Sequence, residues 1–468
     1  MNIKLHKNPL FDFFIMCIDF FLCMVSFGLV RAGLLLFSAA GPAGAAEFAT
    51  AAVMAAAMLF MLYVYEFYTK FVRRKYEIVL SVFLASLVTA VVGIVVNILI
   101  FGFSWQGVFN VLLSSVVAFL LISAEKLILL PVMKRVEGGA ALLVIESKEV
   151  ENALARKIKY SYLELYDAWY VQIDVSNEEE IAHLLADEFH RYDSIFISPS
   201  IPEKLRNRFI SYAVTLRKEI YILPDLYNIS IMKNETVQFD DTPAFRLRAF
   251  GPTKLQKTLK RGFDILAAFF FIVLSSPLML LIALAVKLDS PGPLIFKQLR
   301  VTEDRKVFYI YKFRTMIENA EQETGPMRAK YGDKRITRVG GFLRLTRLDE
   351  LPQFFNVLCG QMSVVGPRPE RPVFVEQYCR EIENYDKRFF VKAGLTGMAQ
   401  VYSRYDTDAR DRTLYDLLYI KDYSMWLDIR IILLTIKIMF VKEAAEGVKE
   451  PPVYARRQEE KTGTGVDR

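Results

Sequence analysis

Four long apolar runs fill the first part of the chain and are separated by short connections. The runs extend over roughly Phe11 to Phe37, Ala45 to Tyr65, Ile78 to Phe101 and Val108 to Leu130. Each run approaches or exceeds the ~20 residues that a helix needs to cross the hydrocarbon core of a bilayer. The pattern therefore predicts a four-helix transmembrane region over residues 1–136.

Basic residues flank only some of these runs. They are Lys4, Lys7, Lys70, Arg73, Arg74, Lys75, Lys134 and Arg135. They lie before the first run, between the second and third, and after the fourth, whereas connections 41–44 and 102–107 carry no charge. Because cytoplasmic loops are enriched in Lys and Arg, both ends of the bundle are expected to face the cytoplasm. A cleaved signal peptide fits less well, because the first run is long and no polar mature domain follows it.

Residues 137–250 alternate short apolar runs with helical patterns. The strand-length runs are Ala141 to Ile145, Trp169 to Val175, Ser194 to Ser198 and Glu219 to Leu223. Strands that alternate with helices predict a small α/β, Rossmann-like module. Its first strand leads into Glu146 rather than a glycine-rich turn. The sequence therefore favours a structural or regulatory role for this module over cofactor binding.

A fifth apolar run, Phe263 to Leu288, is long enough to cross a membrane, yet basic residues lie on both sides of it. If both flanks prefer the cytoplasm, the helix has to turn back. Ser276 and Pro277 lie near its midpoint, where proline removes a backbone donor and a serine hydroxyl can satisfy a freed carbonyl. The pattern predicts a re-entrant helix hairpin over residues 263–288, broken at these two residues. The alternative is an ordinary fifth span with a proline kink.

The rest of the chain, residues 251–449, predicts an α+β domain that includes this hairpin. An extended segment, VFYIYKFRTM, is expected to place Lys312 and Arg314 on the same side. The apolar segment Trp426 to Val441 is too short and too charged for a span, and predicts a helix on the membrane surface. Packing against the core of the domain is its alternative. The polar tail, residues 450–468, is expected to be disordered.

Composition supports a membrane protein with anionic partners. The chain has 468 residues, of which 53% are hydrophobic, and a formal net charge of +7. This basic excess fits anionic lipids, phosphate substrates and cytoplasmic loops. Nucleic acid is not an expected partner, because the charge is spread beside membrane segments and no groove-reading motif is present. The four cysteines include no CxxC pair, so neither a disulfide framework nor a zinc site is indicated.

The densest candidate chemistry surrounds an adjacent carboxylate pair, Asp349 and Glu350. The arginines around the pair are Arg338, Arg344, Arg347, Arg368 and Arg371. Guanidinium groups bind phosphate in a fork geometry that lysine does not copy, so the cluster suggests a phosphorylated substrate beside two acids. One acid can attack phosphorus while the other holds a metal ion or moves a proton. A structural alternative makes Thr346 the N-cap of a helix that carries both acids in its first turn.

Seven motifs, in order across about residues 254 to 445, carry a resemblance to a known family. They are KRGFD at 260–264, the break at Ser276 and Pro277, SPGP at 290–293, YKFRTM at 311–316, LDELPQ at 348–353, NVLCGQMSVVGPRPE at 356–370 and GLTGMAQV at 394–401. Together they resemble the bacterial polyprenyl-phosphate glycosyl-1-phosphate transferases. The spans and α/β module in front resemble the large subclass, which initiates exopolysaccharide, capsule or O-antigen synthesis.

The resemblance implies transfer of a sugar-1-phosphate from a UDP-sugar to undecaprenyl phosphate, with release of UMP and with Mg²⁺ as cofactor. It also implies a place in the bacterial cytoplasmic (inner) membrane, with the catalytic domain on the cytoplasmic face. A homodimer through the α/β module or the helix bundle is compatible with the large subclass.

The resemblance also implies roles for single residues. Asp349 matches the nucleophile that forms a covalent phosphosugar intermediate, and Glu350 matches its partner, which binds magnesium. Arg344 and Arg368 match arginines near the phosphates. Arg368 stands between Pro367 and Pro369, in the Pro-Arg-Pro motif that contacts the nucleotide.

Two further pairs of basic residues match motifs of the family. Lys260 and Arg261 match the basic pair at the start of the re-entrant helix, and Lys312 and Arg314 lie in the YKFRTM motif; we expect all four at the substrate. The family commonly has glycines between the FKQ-R segment and YKFRTM, and this chain has none over residues 301–306. A glycine-dependent turn is therefore not supported there.

Two other functions are compatible with parts of the sequence. A membrane glycosyltransferase would move only the sugar, release UDP and need no aspartyl-phosphate intermediate. A scaffold of a polysaccharide assembly complex would use the α/β module as its interaction surface. The intact pair Asp349 and Glu350, together with Arg368, counts against the scaffold, since a retired site is free to lose them. The ordered motifs favour the phosphoglycosyl transferase.

Overall fold

A computed structural model of the chain describes residues 9–37, 45–68, 75–137, 141–148, 168–232, 234–247, 250–317, 335–403 and 407–440. The polar tail at 450–468 and the basic residues at 4–7 and 70–74 lie outside the described residues. The chain divides into two compact units, Met1–Leu223 and Pro224–Arg468.

The first unit begins with four long helices. They are α1 (Pro9–Phe37), α2 (Ala45–Val64), α3 (Lys75–Phe101) and α4 (Trp105–Glu137). Among the described residues, five helices are long and apolar enough to cross a membrane, and α1 to α4 are the first four of the five. The helices predicted from the first four apolar runs are therefore present, each next to its neighbour in sequence and with α1 beside α4.

A buried ion pair joins the first of these helices to the last. Lys126 Nζ of α4 lies 2.7 Å from Asp19 Oδ1 of α1, and neither side chain is exposed. The Tyr68 hydroxyl donates to the other carboxylate oxygen at 2.5 Å. Ionisable groups inside an apolar bundle are costly unless they are paired, so this contact favours one arrangement of the helices over others. The apolar pattern alone did not indicate it.

The rest of the first unit is built on a four-stranded parallel sheet. The strands are β1 (Leu142–Ser147), β2 (Ala168–Ile173), β3 (Ser194–Ile197) and β4 (Glu219–Ile222), in the order β2-β1-β3-β4. The helical segments are α5 (Glu178–His183), a π-helical turn (Leu184–Glu188), α6 (Phe189–Arg191) and α7 (Glu203–Thr215). Every residue of β1 is buried, as expected for the inner strand of a parallel sheet with both faces covered. All four predicted strands are present, with ends displaced by one or two residues.

The second unit mixes helices and strands. Its helices are α8 (Leu226–Ile231), α9 (Lys254–Asp289), α10 (Arg338–Thr346), α11 (Gln353–Leu358), α12 (Pro372–Glu381), α13 (Met398–Tyr402), α14 (Ala409–Lys421) and α15 (Met425–Met439). Its strands pair as β5 (Glu235–Phe239) with β6 (Thr242–Arg246), β7 (Ile295–Val301) with β8 (Val307–Phe313), and β9 (Ser363–Val365) with β10 (Gly394–Thr396). The first two pairs are antiparallel and the third is parallel.

The described residues between Pro224 and Phe250 belong to this second unit, whereas we assigned them to the α/β module. Ile229 of α8 is fully buried in the main core of the second unit. The Lys421 ammonium of α14 donates to the Ser230 carbonyl at 2.7 Å. A short helix of this kind takes its position from distant partners, and local periodicity does not reveal them. The two compact units divide between Leu223 and Pro224, and our domain boundary at 250 stays a prediction.

The fifth apolar run is helical over Lys254–Asp289 as α9, with Pro277 inside the helix, and the re-entrant hairpin broken at Ser276 and Pro277 stays a prediction. Pro277 lacks the N–H that would bond the Val273 carbonyl. The Ser276 hydroxyl donates to that carbonyl instead, at 2.8 Å. The serine compensation that we expected at this proline is therefore present.

Both ends of α9 are held by the elements that follow it. Near its start, Asp264 Oδ1 accepts hydrogen bonds from the Ser363 hydroxyl and the Val364 N–H, both at 3.0 Å. At its end, Asp289 Oδ2 accepts one from the Val339 N–H, also at 3.0 Å. The exposed face between these ends is apolar and includes Leu266, Phe269, Phe270, Leu274 and Leu281. One folded unit therefore anchors both ends of an apolar helix.

Helix α15 packs against the core of the second unit. Leu427 and Ile431 lie in the main core cluster. Asp428 is fully buried, and accepts hydrogen bonds from Lys260 Nζ at 2.6 Å and from the Tyr419 hydroxyl at 2.8 Å. The charge that seemed suited to a lipid surface is thus paired inside the domain. Of our two interpretations, the structure supports core packing.

The turn between β7 and β8 forms without glycine. Asp304 and Arg305 have φ angles of 56° and 58°. This left-handed conformation costs a residue with a Cβ roughly 1–2 kcal/mol. The turn is therefore retained at the expense of local strain.

We expect Arg305→Gly to stabilise the protein by up to ~1 kcal/mol, because the relieved strain is partly offset by the greater freedom of glycine in the unfolded chain. Thermal unfolding of the purified protein in one detergent measures the change. Arg305→Ala is the matched control, since it removes the same side chain but keeps the Cβ. An equal gain from alanine would show that backbone strain is not the cause.

Candidate active site

Asp349 and Glu350 lie in a short 3-10 turn, Leu348–Glu350, between α10 and α11. The turn is entered through Arg347, whose φ of 56° is left-handed and ends α10. The Thr346 hydroxyl donates back to the Phe342 carbonyl at 2.8 Å, inside the last turn of α10. Thr346 is therefore not an N-cap. The two acids lie in a tight turn and not in the first turn of a helix that begins at Thr346.

Glu350 is held by two cations. Its Oε1 accepts hydrogen bonds from Lys312 Nζ at 2.6 Å and from Arg368 Nη2 at 3.3 Å. Burial by itself raises the pKa of this carboxyl, but Lys312 and Arg368 outweigh it and hold the pKa well below its usual range. Glu350 is ionised at neutral pH, and it joins strand β8 to the Pro-Arg-Pro segment.

Asp349 has a different environment. It is 8% exposed, and its carboxylate accepts no hydrogen bond from the residues that the structure describes. Burial raises the pKa of Asp349 to about 6; Lys312 opposes this rise and the Glu350 charge adds to it. Neighbouring carboxyls whose pKa values are pushed apart are suited to different tasks. Asp349 is the carboxyl whose oxygens are available for a reaction.

Lys312 owes its position to a buried amide. Asn356 of α11 is fully buried. Its Oδ1 accepts from the Tyr311 N–H at 3.0 Å, and its Nδ2 donates to the Tyr309 carbonyl at 2.8 Å. The side chain thus fixes the strand directly before Lys312. We gave Asn356 no role from the sequence, although it opens the NVLCGQM part of a motif that we singled out.

The Pro-Arg-Pro segment is fixed through its main chain. The Gly366 N–H donates to the Thr396 carbonyl and the Gly394 N–H donates to the Pro367 carbonyl, both at 2.9 Å. Pro367 and Pro369 are buried, whereas Arg368 is exposed. The prolines therefore belong to the framework, and the Arg368 side chain extends from it to Glu350.

Arg344 approaches the pair from α10. Its Nε donates to the Thr315 hydroxyl at 2.8 Å, and its charge lowers the pKa of Asp349. A Cβ on Gly340 would lie 2.1 Å from the Thr315 carbonyl oxygen. Glycine is needed at this position so that α10 can pack closely enough to bring Arg344 to the site.

Two predicted substrate-binding residues at the start of α9 serve the fold instead. Lys260 forms a buried ion pair with Asp428 at 2.6 Å. The Arg261 guanidinium donates to the carbonyls of Val357 and Leu358, at 2.7 and 2.8 Å, where α11 ends. A cation at a helix C-terminus satisfies carbonyls that lack partners within the helix. The structure does not bring these two residues to the carboxylate pair.

Arg314 is also located away from the pair. Its guanidinium is 5% exposed, and it donates to the carbonyls of Pro291 and Ser290, both at 2.6 Å, just beyond the end of α9. Strand β8 ends at Phe313, so the alternation that placed Lys312 and Arg314 on one side does not extend to Arg314. Of that pair, only Lys312 reaches Glu350.

A magnesium ion was expected at Glu350. Within the described ranges, no three acidic, histidine or cysteine side chains converge as metal ligands. Magnesium is often held by one or two carboxylates together with substrate phosphates and water. Glu350 supplies one such carboxylate beside the reacting Asp349. The donor set fits an ion shared with a phosphorylated substrate rather than one enclosed by protein.

Residues 255–442 match the profile of the bacterial sugar transferase family. The UDP-N-acetylgalactosamine-undecaprenyl-phosphate N-acetylgalactosaminephosphotransferase of Aeromonas hydrophila is 48% identical over 204 residues, which are 43% of this chain and 48% of that relative. A UDP-glucose:undecaprenyl-phosphate glucose-1-phosphate transferase of Escherichia coli (strain K12) is 42% identical over 233 residues, 48% of this chain and 50% of the relative.

The alignment spans about half the length of these two relatives. A shorter relative is covered more fully. It is a UDP-glucose:undecaprenyl-phosphate glucose-1-phosphate transferase of Caulobacter vibrioides, 42% identical over 193 residues, which are 40% of this chain and 71% of the relative. The matched residues contain α9, the carboxylate turn and the Pro-Arg-Pro segment. The chain belongs to the bacterial sugar transferase family.

Proposed function

We propose that this protein transfers a sugar-1-phosphate from a UDP-sugar to undecaprenyl phosphate and releases UMP, as the first membrane step of exopolysaccharide, capsule or O-antigen synthesis. The observation that carries the proposal is the difference between two adjacent acids. Asp349 is buried and accepts no hydrogen bond from the described residues, whereas Glu350 is tied to Lys312 and Arg368. The names of the relatives support both substrate classes.

In the first step, an Asp349 oxygen attacks the β-phosphorus of the UDP-sugar. A bond from Asp349 to phosphorus forms as the bond to UMP breaks, which leaves the phosphosugar on Asp349. In the second step, an oxygen of undecaprenyl phosphate attacks the same phosphorus and releases Asp349. Splitting the transfer in this way avoids direct attack of one anionic substrate on the other.

The cations around the pair serve both steps. Arg368 and Arg344 reach the pair from different elements, so they can neutralise charge on the transferring phosphoryl group from two directions. Glu350 keeps Lys312 and Arg368 in place through its two hydrogen bonds. Magnesium, held by Glu350 together with the substrate phosphates, would supply Lewis-acid stabilisation of the phosphoryl oxygens.

The test of this function is to incubate the full chain in lipid nanodiscs with Mg²⁺, undecaprenyl phosphate and a panel of UDP-sugars, and to identify the released nucleotide. UMP supports phosphosugar transfer and identifies the donor. UDP would mean that only the sugar moved, and the mechanism through Asp349 would have to be abandoned. No nucleotide from any donor would favour the scaffold function.

The pH dependence of the first step follows from the raised pKa of Asp349, about 6. The carboxylate is the attacking form, so protonation below the pKa removes activity. We expect UMP release without acceptor lipid to be nearly constant above roughly pH 7 and to fall about tenfold per pH unit well below pH 6. Single-turnover assays between pH 5 and 8, with folding checked at each pH, measure this limb. A flat profile would contradict the assignment.

We also propose that α9 enters and leaves the membrane on one face, and that this face is cytoplasmic. Two observations support this: Asp264 and Asp289 bind the same folded unit, and the sequence is basic on both sides of the apolar run. In a background without native cysteines, Lys254→Cys and Pro293→Cys are expected to react with an impermeant thiol reagent from the same side. Reaction from opposite sides would establish a fifth span.

A further inference from the structure

Two arginines, the buried Arg388 and the half-buried Arg300, lie behind the Pro-Arg-Pro segment and take no part in the proposed chemistry. Arg388 is 6% exposed, and its Nη2 donates to the Arg368 carbonyl at 2.8 Å. Arg300 approaches the next residue, and its Nη1 donates to the Pro369 carbonyl at 3.0 Å. Consecutive carbonyls of the segment are therefore held by fixed cations, while the Arg368 side chain extends to Glu350.

Arg388 is itself held from several directions. Its Nη2 lies 2.9 Å from Asp416 Oδ2 of α14. Its Nη1 donates to the Tyr385 hydroxyl, and its guanidinium carbon lies 4.8 Å from the centre of the Tyr385 ring. A guanidinium has five donors in one plane and can make these contacts together, which an ammonium on a flexible stem does not.

The pair of Arg388 and Asp416 is costly to bury. Asp416 is 3% exposed, and burial raises its pKa to about 6 although Arg388 opposes the rise. A buried ion pair can often be replaced by apolar residues of similar volume with no loss of folding stability. A buried pair is therefore better explained by the geometry it imposes. Here the imposed geometry is that of the Arg368 main chain.

We infer that Arg388, with Asp416 behind it, is a positioning residue for Arg368. It fixes the main chain so that the Arg368 guanidinium meets Glu350 and the phosphates of the substrate. The inference rests on the proposed function, in which Arg368 binds those phosphates. Displacing a charged group by about 1 Å can cost on the order of 10²-fold in rate, so a distant anchor of this kind can matter strongly.

The test is a double-mutant cycle between Arg388→Lys and Arg368→Ala. Arg388→Lys keeps a charge for Asp416 but cannot hold both Asp416 and the Arg368 carbonyl in the same geometry. We expect it to lower kcat/KM for nucleotide release about 10- to 100-fold and to weaken UMP binding. In the Arg368→Ala background the same change is expected to alter both quantities less than ~2-fold, because the group that it positions is gone.

Arg314→Lys is the matched control. Arg314 is as deeply buried as Arg388 and also donates to main-chain carbonyls, those of Ser290 and Pro291. We expect Arg314→Lys to lower the Tm. Any effect of Arg314→Lys on the rate or on UMP affinity is expected to be the same whether residue 368 is arginine or alanine, because a general loss of stability does not depend on Arg368.

Asp416→Asn is the second variant, in case Arg388→Lys does not fold. It keeps the shape of the side chain, removes the charge behind Arg388, and is expected to show the same dependence on Arg368. If either variant acts equally strongly when Arg368 is alanine, or has no effect when Arg368 is present, the positioning role is overturned. Release of UDP by the wild-type protein would overturn the proposed function instead, and the UMP-affinity cycle would still decide the role of Arg388.

Discussion

Replacing Asp349 by asparagine is expected to lower the rate of UMP release from a UDP-sugar by at least ~10³-fold. The amide has nearly the same size but offers no anionic oxygen to attack phosphorus. Because Asp349 accepts no hydrogen bond from the described residues, the change breaks no hydrogen bond of the turn. The expected result is therefore an inactive protein with an unchanged fold.

The measurement uses a UDP-sugar labelled in its sugar phosphate, without acceptor lipid. The wild-type protein is expected to retain up to one label per chain, on a peptide that contains Asp349, and to release the label when undecaprenyl phosphate is added. Asp349→Asn is expected to retain none, while its thermal unfolding matches that of the wild type. An active Asp349→Asn protein would eliminate Asp349 as the nucleophile.

Glu350→Gln separates the two acids. This substitution weakens the hydrogen bonds from Lys312 and Arg368 but leaves Asp349 in place, so the labelled adduct is expected to form more slowly and still to form. Label on a Glu350 peptide in the wild-type protein would reverse the roles that we assign to the pair.

Replacing Lys312 by methionine is expected to have the second-largest effect, a loss of about 10²-fold in UMP release at pH 7. Two causes act together. The transferring phosphoryl group loses a cation, and Glu350 keeps only the longer hydrogen bond from Arg368, at 3.3 Å. In addition, Lys312 is the strongest influence that opposes the raised pKa of Asp349. Its removal therefore raises that pKa further above about 6.

The direction in which the pKa of Asp349 changes can be tested directly. A higher pKa leaves more of Asp349 protonated at neutral pH, so the acid limb of the rate profile is expected to move upward in Lys312→Met. Raising the pH toward ~8 would then recover part of the loss. Single-turnover rates from pH 5 to 9 measure the shift. A limb that moves downward, or does not move, would contradict the proposed electrostatics.

Lys297→Met is the matched control for this experiment. Lys297 is an exposed lysine on the neighbouring strand β7, with its ammonium 5.7 Å from the centre of the Tyr311 ring. The substitution removes the same charge close to the same strand but not at Glu350. Its acid limb is expected to stay where it is in the wild-type protein.

Local pattern was sufficient for much of the architecture. The first four apolar runs are helices long enough to cross a membrane, and the four strand-length runs of the first unit are strands of one parallel sheet. A helix is stabilised by hydrogen bonds within its own segment, and a buried strand is marked by a short continuous apolar run. Both can therefore be recognised from one segment of the sequence. The adjacent acids and the Pro-Arg-Pro motif were also visible, since their members are close in sequence.

The sequence pattern was not sufficient where a helix face could pack against more than one kind of surface. The amphipathic character of α15 suited a lipid surface and a protein core equally well. The burial of Leu427 and Ile431 in the main core and the ion pair between Asp428 and Lys260 favour packing against the core.

The sequence by itself determined which groups are present: four apolar helices long enough to cross a membrane, a parallel sheet, two adjacent acids and an excess of cations near them. The tertiary structure decided which cations reach the acids. Lys312 and Arg368 bind Glu350, whereas Arg261 binds carbonyls in the last turn of α11 and Arg314 binds carbonyls just beyond α9. The physical reason is that a cation can stabilise either a carboxylate or a helix end, and the choice depends on which elements meet in space, which spacing along the chain does not specify.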